Sequence, residues 1–191
     1  QLIVRQDGGR WAIRNLGAIL FARRLGDFGG LQRKAVRVIA YKGHGRAEDT
    51  IRELKGERGY AAGFAGLIDF INGFLPSNEI IGQALRQTVP VYPELAIREL
   101  VANALIHQDF AITGSGPMVE LFADRMEITN PGQPLVDTQR MLDHPPRSRN
   151  EALASLMRRV GICEERGSGV DKVVFQTELY QLPAPAFEAV G

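Results

Sequence analysis

The chain has 191 residues, 45% hydrophobic and 24% charged, with a net charge of +1. That suits one or two domains with a real core, and it leaves no global field to draw in nucleic acid or an anionic membrane. One cysteine, Cys163, excludes an internal disulfide and a cysteine-rich metal site, and it fits a reducing cytoplasm. No apolar run reaches membrane-spanning length and no signal peptide is visible. The chain opens on Gln1, directly on strand-like sequence, and so reads as an excised piece of a longer protein.

Arg10-Trp11-Ala12-Ile13 predicts a short strand, and Asn15 a cap for a helix over 16–25. The alternating, β-branched run Ala35 to Tyr41 predicts a strand. Lys42 to Gly59 is charged and glycine-rich and reads as a loop. Tyr60 to Phe74 predicts a helix with Phe64, Leu67, Ile68 and Ile71 on its buried side. Pro76 to Asn78 marks a boundary between two halves, 1–76 and 77–191. Met118–Phe122 and Met126–Thr129 predict a hairpin closed by Asn130-Pro131-Gly132, since proline cannot continue a central strand. Val136 to His144 reads as a short connection. Asn150 is placed to cap a helix over 151–160, with Gly161 as its stop. Gly167-Ser168-Gly169 opens a last helix, and the tail with Pro183 and Pro185 leaves it as an edge strand or trails off.

The most informative stretch is Pro93 to His107. At helical spacing Ile97, Leu100, Val101, Ala104 and Leu105 share one side, while Glu99, Asn103 and His107 recur every four residues along the other. A carboxylate, an amide and an imidazole in one row can hold a divalent cation and activate water. The simpler account is a solvated polar face. Gly167-Ser168-Gly169 offers backbone amides at a helix start, which suit an anion, and its simpler account is a glycine turn. Asn130-Pro131-Gly132 alone is an ordinary turn. Arg147 and Arg149 could reach a phosphate or lie in a solvated turn. His107 reads as a residue that orients the site, and Asp109 as a cap for the helix end or the next turn.

Taken in order, these features resemble the ATP-binding boxes of the gyrase, histidine kinase and MutL class. The run Arg98 to Phe110, then Asp124 to Gly132, then Ser148-Arg149-Asn150, then Glu165 to Gly169, is similar to one branch of it. That branch is the RecG-like transcriptional regulators related to ATP-dependent DNA helicases. Leu16 to Phe21 and Val36 to Tyr41 resemble the end of an AlbA/Schlafen-type domain. The resemblance implies an α/β fold: a two-layer sandwich of helices on a mixed sheet over 77–191, preceded by a smaller α/β segment over 1–76.

It also implies a regulator that binds ATP with magnesium as a switch and hydrolyses it slowly, if at all. Glu99 would polarise the attacking water and Asn103 would ligate magnesium. Asn130 and Gly132 match the first glycine box, which contacts adenine. Gly167, Ser168 and Gly169 match the second, which receives phosphate, with His107 and Arg149 beside it. DNA would be contacted through a C-terminal winged helix outside this chain, a homo-oligomer would be in keeping, and no membrane is involved. The alternative is a non-catalytic scaffold or oligomerisation domain with a degenerate nucleotide site. Asn130 stands where the wider class has an aspartate, so it can accept from adenine but lacks the charge. Only about 35 residues separate Gly132 from Gly167, too few for a long lid. No P-loop is present.

Overall fold

The alternating run that predicts a strand forms β3 (Arg37–Tyr41), the inner strand of the main sheet. The computed structural model describes residues 2–81, 86–141, 145, 147–163 and 169–189. In chain order, β1 (Ile3–Arg5) and β2 (Trp11–Ile13) make an antiparallel pair, followed by α1 (Asn15–Phe21). Then come β3, β4 (Thr50–Lys55) and α2 (Tyr60–Asn72). A second antiparallel pair, β5 (Ser77–Ile81) and β6 (Arg86–Pro90), leads into α3 (Glu94–His107). The hairpin β7 (Met118–Leu121) and β8 (Met126–Thr129) precedes α4 (Glu151–Arg159) and α5 (Gly169–Leu179).

The main sheet has the order β4-β3-β7-β8, with β3 parallel to β7 and the other pairs antiparallel. Val38, Ala40, Val119 and Leu121 point to the core, where Leu20, Phe64, Ile68, Ile71, Ile97, Val101, Leu105, Leu153 and Met157 pack on them. Ile39 and Glu120, which are register partners, alternate to the opposite face. The architecture is therefore a mixed α/β sandwich with helices against a mixed sheet. The sheet runs across residues 76–77: β3 and β4 precede that point, β7 and β8 follow it, and the core draws on both sides.

Glu120 is only 1% exposed although it faces away from the core. Arg46, from the connection between β3 and β4, clamps it with two donors at 2.7 Å and reaches Glu127 at 2.9 Å. Tyr41 also donates to Glu120, at 3.2 Å, and stacks on Phe122 with centroids 4.9 Å apart. The Arg46 guanidinium, with help from the Tyr41 hydroxyl, holds the Glu120 carboxyl below the usual range against the opposing effect of burial.

Two expectations change, and an open alternative closes. The stretch read as a loop contains β4, an edge strand that pairs with β3 through its backbone while exposing most of its side chains. Such a strand lacks the apolar alternation by which strands are read. Asn15 lies inside α1, whose cap position is Arg14, and α1 stops at Phe21, before Ala22 turns extended. Pro93 is the cap residue of α3. The proline-containing tail, as far as residue 189, pairs with no strand. No helix among the described residues is long and apolar enough to cross a membrane.

Candidate functional site

α3 carries the polar row, and it is enclosed on more sides than its pattern suggests. It packs against α2, α4, α5 and β8. Besides the predicted stripe, Ala96, Glu99, Ala102 and Ile106 are buried, while Leu100 is only partly so. Glu99 is 6% exposed, which rules out a solvated face at that position.

The cause is α5. A Cβ built on Gly169, the first residue of that helix, would stand 2.7 Å from Glu99 Oε2 and 3.7 Å from Asn103 Nδ2. Only glycine lets a helix start come so near. The acid therefore lies at the positive end of α5, where a carboxylate is stabilised. Asn103, one turn further along α3, is partly exposed beside it.

A second set of contacts surrounds the other end of α3, about 12 Å along its axis. The Asp109 amide donates to the Pro131 carbonyl at 2.7 Å. Gly132 has φ +114°, and a Cβ there would meet Asp109 Cβ at 2.7 Å, so both backbone conformation and space require glycine. Arg149 donates to Asp109 Oδ2 at 3.4 Å and to the Gln133 carbonyl at 2.5 Å, bridging the helix end to the turn. Asp109 Oδ1 accepts from the Ala111 amide at 2.9 Å, the turn-capping role expected of it. Asn130 sits partly buried at the start of this turn.

His107 lies between the two groups along the helix. Burial pushes its pKa below 6.5, and the charge of Arg149 pushes it the same way, so the neutral imidazole is favoured. Asn150 occupies the cap position of α4 but does not cap it with its side chain. Its amide nitrogen instead donates to the carbonyls of Ile106 at 2.6 Å and Gln108 at 2.8 Å, closing the end of α3.

Of the residues singled out in the sequence, Glu99, Asn103 and Gly169 come together, and Gly132, Arg149 and Asp109 come together at the helix end. Gly167 and Ser168 lie outside the described residues. Sequence reasoning missed Lys34, Tyr60 and Gln108, which meet behind the same helix end. Their spacing along the chain carries no motif. Among the described residues no group of three or more His, Cys, Asp or Glu could hold a metal. One acid and one amide at a glycine-lined helix start do suit magnesium, which keeps waters and needs few protein oxygens when phosphates supply the rest.

Residues 114–191 match the domain family described as "Putative ATP-dependent DNA helicase recG C-terminal". That segment is similar to a RecG-related ATPase-like domain. It contains Asn130, Gly132, Arg149 and Gly169, and it begins after α3, so Glu99, Asn103 and His107 lie upstream of it. The crystal structure of the DIP2311 protein from Corynebacterium diphtheriae is similar over 96% of this chain, with a TM-score of 0.75 and 22% identity. At that identity the likeness is one of fold. This chain spans 36% of that protein's length. No curated protein matches the chain.

Proposed function

We propose that this chain binds ATP with magnesium between α3 and the starts of the two glycine turns, as a regulatory switch. The observation that carries the reading is the approach of Gly169 to Glu99 and Asn103. A carboxylate, an amide and a helix start meet there, although they come from stretches some 65 residues apart in the chain. The Asn103 side-chain oxygen would ligate magnesium, which would neutralise phosphate charge when bound. Amides at the start of α5 would receive phosphate, with Gly167 and Ser168 as the residues leading into it. Glu99 would orient water for a slow hydrolysis. Asn130, beside Gly132, would accept from the adenine amino group, and neutral His107 and Arg149 would border the phosphates.

The wider reading is of a transcriptional regulator related to RecG-like proteins. Residues 1–76 would be the end of an AlbA/Schlafen-like domain and 77–191 the nucleotide-binding unit. DNA contact would fall to a winged helix outside this chain, and nucleotide binding would bias that region or an oligomer.

Thermal melting tests the core claim, because a ligand that binds only the folded state raises stability with its concentration. Mg-ATP is expected to raise Tm in a dose-dependent way. Calorimetry that finds no nucleotide binding at millimolar concentration, with folded protein, would reject it. One observation favours a second reading, that of a non-catalytic scaffold: Glu99 is buried beneath the first residue of α5. Folded protein that assembles but binds no nucleotide would support the scaffold.

A further inference from the structure

Lys34 is 2% exposed, although it sits in the charged stretch Gln32-Arg33-Lys34. A buried ammonium needs partners, and it finds them on the segment that follows α3. Its Nζ donates to the Ile112 carbonyl at 2.7 Å and the Asp109 carbonyl at 3.3 Å, and lies 5.6 Å from the centroid of the Phe110 ring. The backbone around it is fixed from behind. The Tyr60 hydroxyl donates to the Lys34 carbonyl at 2.7 Å, and Gln108 Nε2 donates to that hydroxyl at 2.6 Å. Gly116, further along the same segment, packs without a side chain against the Arg33 carbonyl.

Asp109 is therefore held from two sides. Its carbonyl is held by Lys34, and its amide donates to Pro131 beside Gly132. We propose that Lys34 is a positioning residue that sets the Asp109 corner against the glycine turn, so that the first half of the chain determines the geometry of the nucleotide site. The inference rests on the functional reading above for its consequence, and on the contacts alone for the clamp. Lys34→Met would leave the Asp109 and Ile112 carbonyls without this donor, Lys34→Gln would offer only a shorter, uncharged one, and the corner would loosen. The burial that lowers the Lys34 pKa is offset in part by the charge of Asp109, in keeping with a charged clamp.

The test uses Lys34→Met and Lys34→Gln in the same chain, with hydrogen exchange read residue by residue and Mg-ATP affinity read by calorimetry. Exchange at the Asp109 and Ala111 amides is expected to accelerate about tenfold relative to amides of α2, and Kd to weaken about tenfold. Tyr60→Phe, which removes a hydroxyl from the same network but keeps the ammonium, should lower stability without that selective acceleration. Uniform acceleration that follows global stability, or none at Asp109, would overturn the proposal. If both lysine variants fail to fold, the wild-type chain decides. Slowly exchanging Lys34 Nζ protons in its NMR spectrum support the clamp, and protons in fast exchange with water overturn it. If wild-type protein binds no Mg-ATP, the functional reading fails while the exchange data still decide the clamp.

Discussion

Gly169 touches Glu99 so closely that any side chain at the first position of α5 would collide with a buried carboxylate, Cβ to Oε2 being 2.7 Å. Gly169→Ala must push the Glu99 side chain aside or lift the helix start. The close atom is the end of a flexible side chain, so the cost reaches the roughly 1–3 kcal/mol of core overpacking only if Glu99 is held in place. The variant is expected to melt earlier in denaturant titration and to bind Mg-ATP more weakly. A variant with unchanged stability and unchanged affinity would show that this contact organises nothing.

Glu99 and Asn103 should separate turnover from binding. Glu99→Ala is expected to abolish any ATP hydrolysis while keeping ATP binding, because the acid is assigned to water rather than to the nucleotide. Asn103→Ala should remove the magnesium-dependent part of binding. Calorimetry with and without magnesium, beside a phosphate-release assay, reads both. Loss of binding in Glu99→Ala with the fold intact would reverse the assignment.

Asn150 donates from one amide nitrogen to two carbonyls at the end of α3. Asn150→Ala leaves the Ile106 and Gln108 carbonyls without that donor, at a cost of about 1–3 kcal/mol. Asn150→Ser, which offers a capping hydroxyl to α4 but cannot reach as far, should be destabilised similarly if the α3 contact is what matters. Recovery of full stability in the serine variant would place the role at α4 instead.

His107 should make stability fall on mild acidification. Its folded pKa lies below 6.5, so as pH drops below 6.5 the unfolded chain takes up a proton that the folded chain resists. Its contribution is present above that value and is lost as pH falls through the folded pKa. Chemical denaturation of wild-type protein and His107→Gln between pH 7.5 and 5 should show a difference that changes across this window. A constant difference would mean that the imidazole titrates normally.

Glu120 gives the corresponding signal at lower pH. Arg46 holds its folded pKa below the ordinary carboxylate value of 4.5, so its stabilisation is present above that value and lost as pH falls through the folded pKa. In Arg46→Met the buried carboxylate keeps the desolvation cost without its main partner. Acid unfolding followed by circular dichroism is expected to begin at higher pH in that variant. Coincident acid transitions would show that the clamp contributes nothing.

Much of the fold could be read from local pattern. β3, β7 and β8 form where strands were expected, and α2 buries the predicted Phe64, Leu67, Ile68 and Ile71. Gly161, with φ +74°, ends α4 where a left-handed residue was expected. β4 escaped because its backbone pairs while its side chains stay wet. Asn150 holds the cap position of α4 as its place before the helix predicts, but where its amide points is not written in that position.

The order of residues along the chain by itself determined the helical row of Glu99, Asn103 and His107, the hairpin, and the glycine corners, because each is a matter of neighbours a few positions apart. Only the tertiary structure decided that Glu99 in that row is buried rather than wet, that Gly169 lies on Glu99, and that Lys34 reaches Asp109. Those contacts join positions some 65 to 75 residues apart. They arise when α5 and the β3 strand region close around α3, and no local periodicity encodes which distant backbone will arrive.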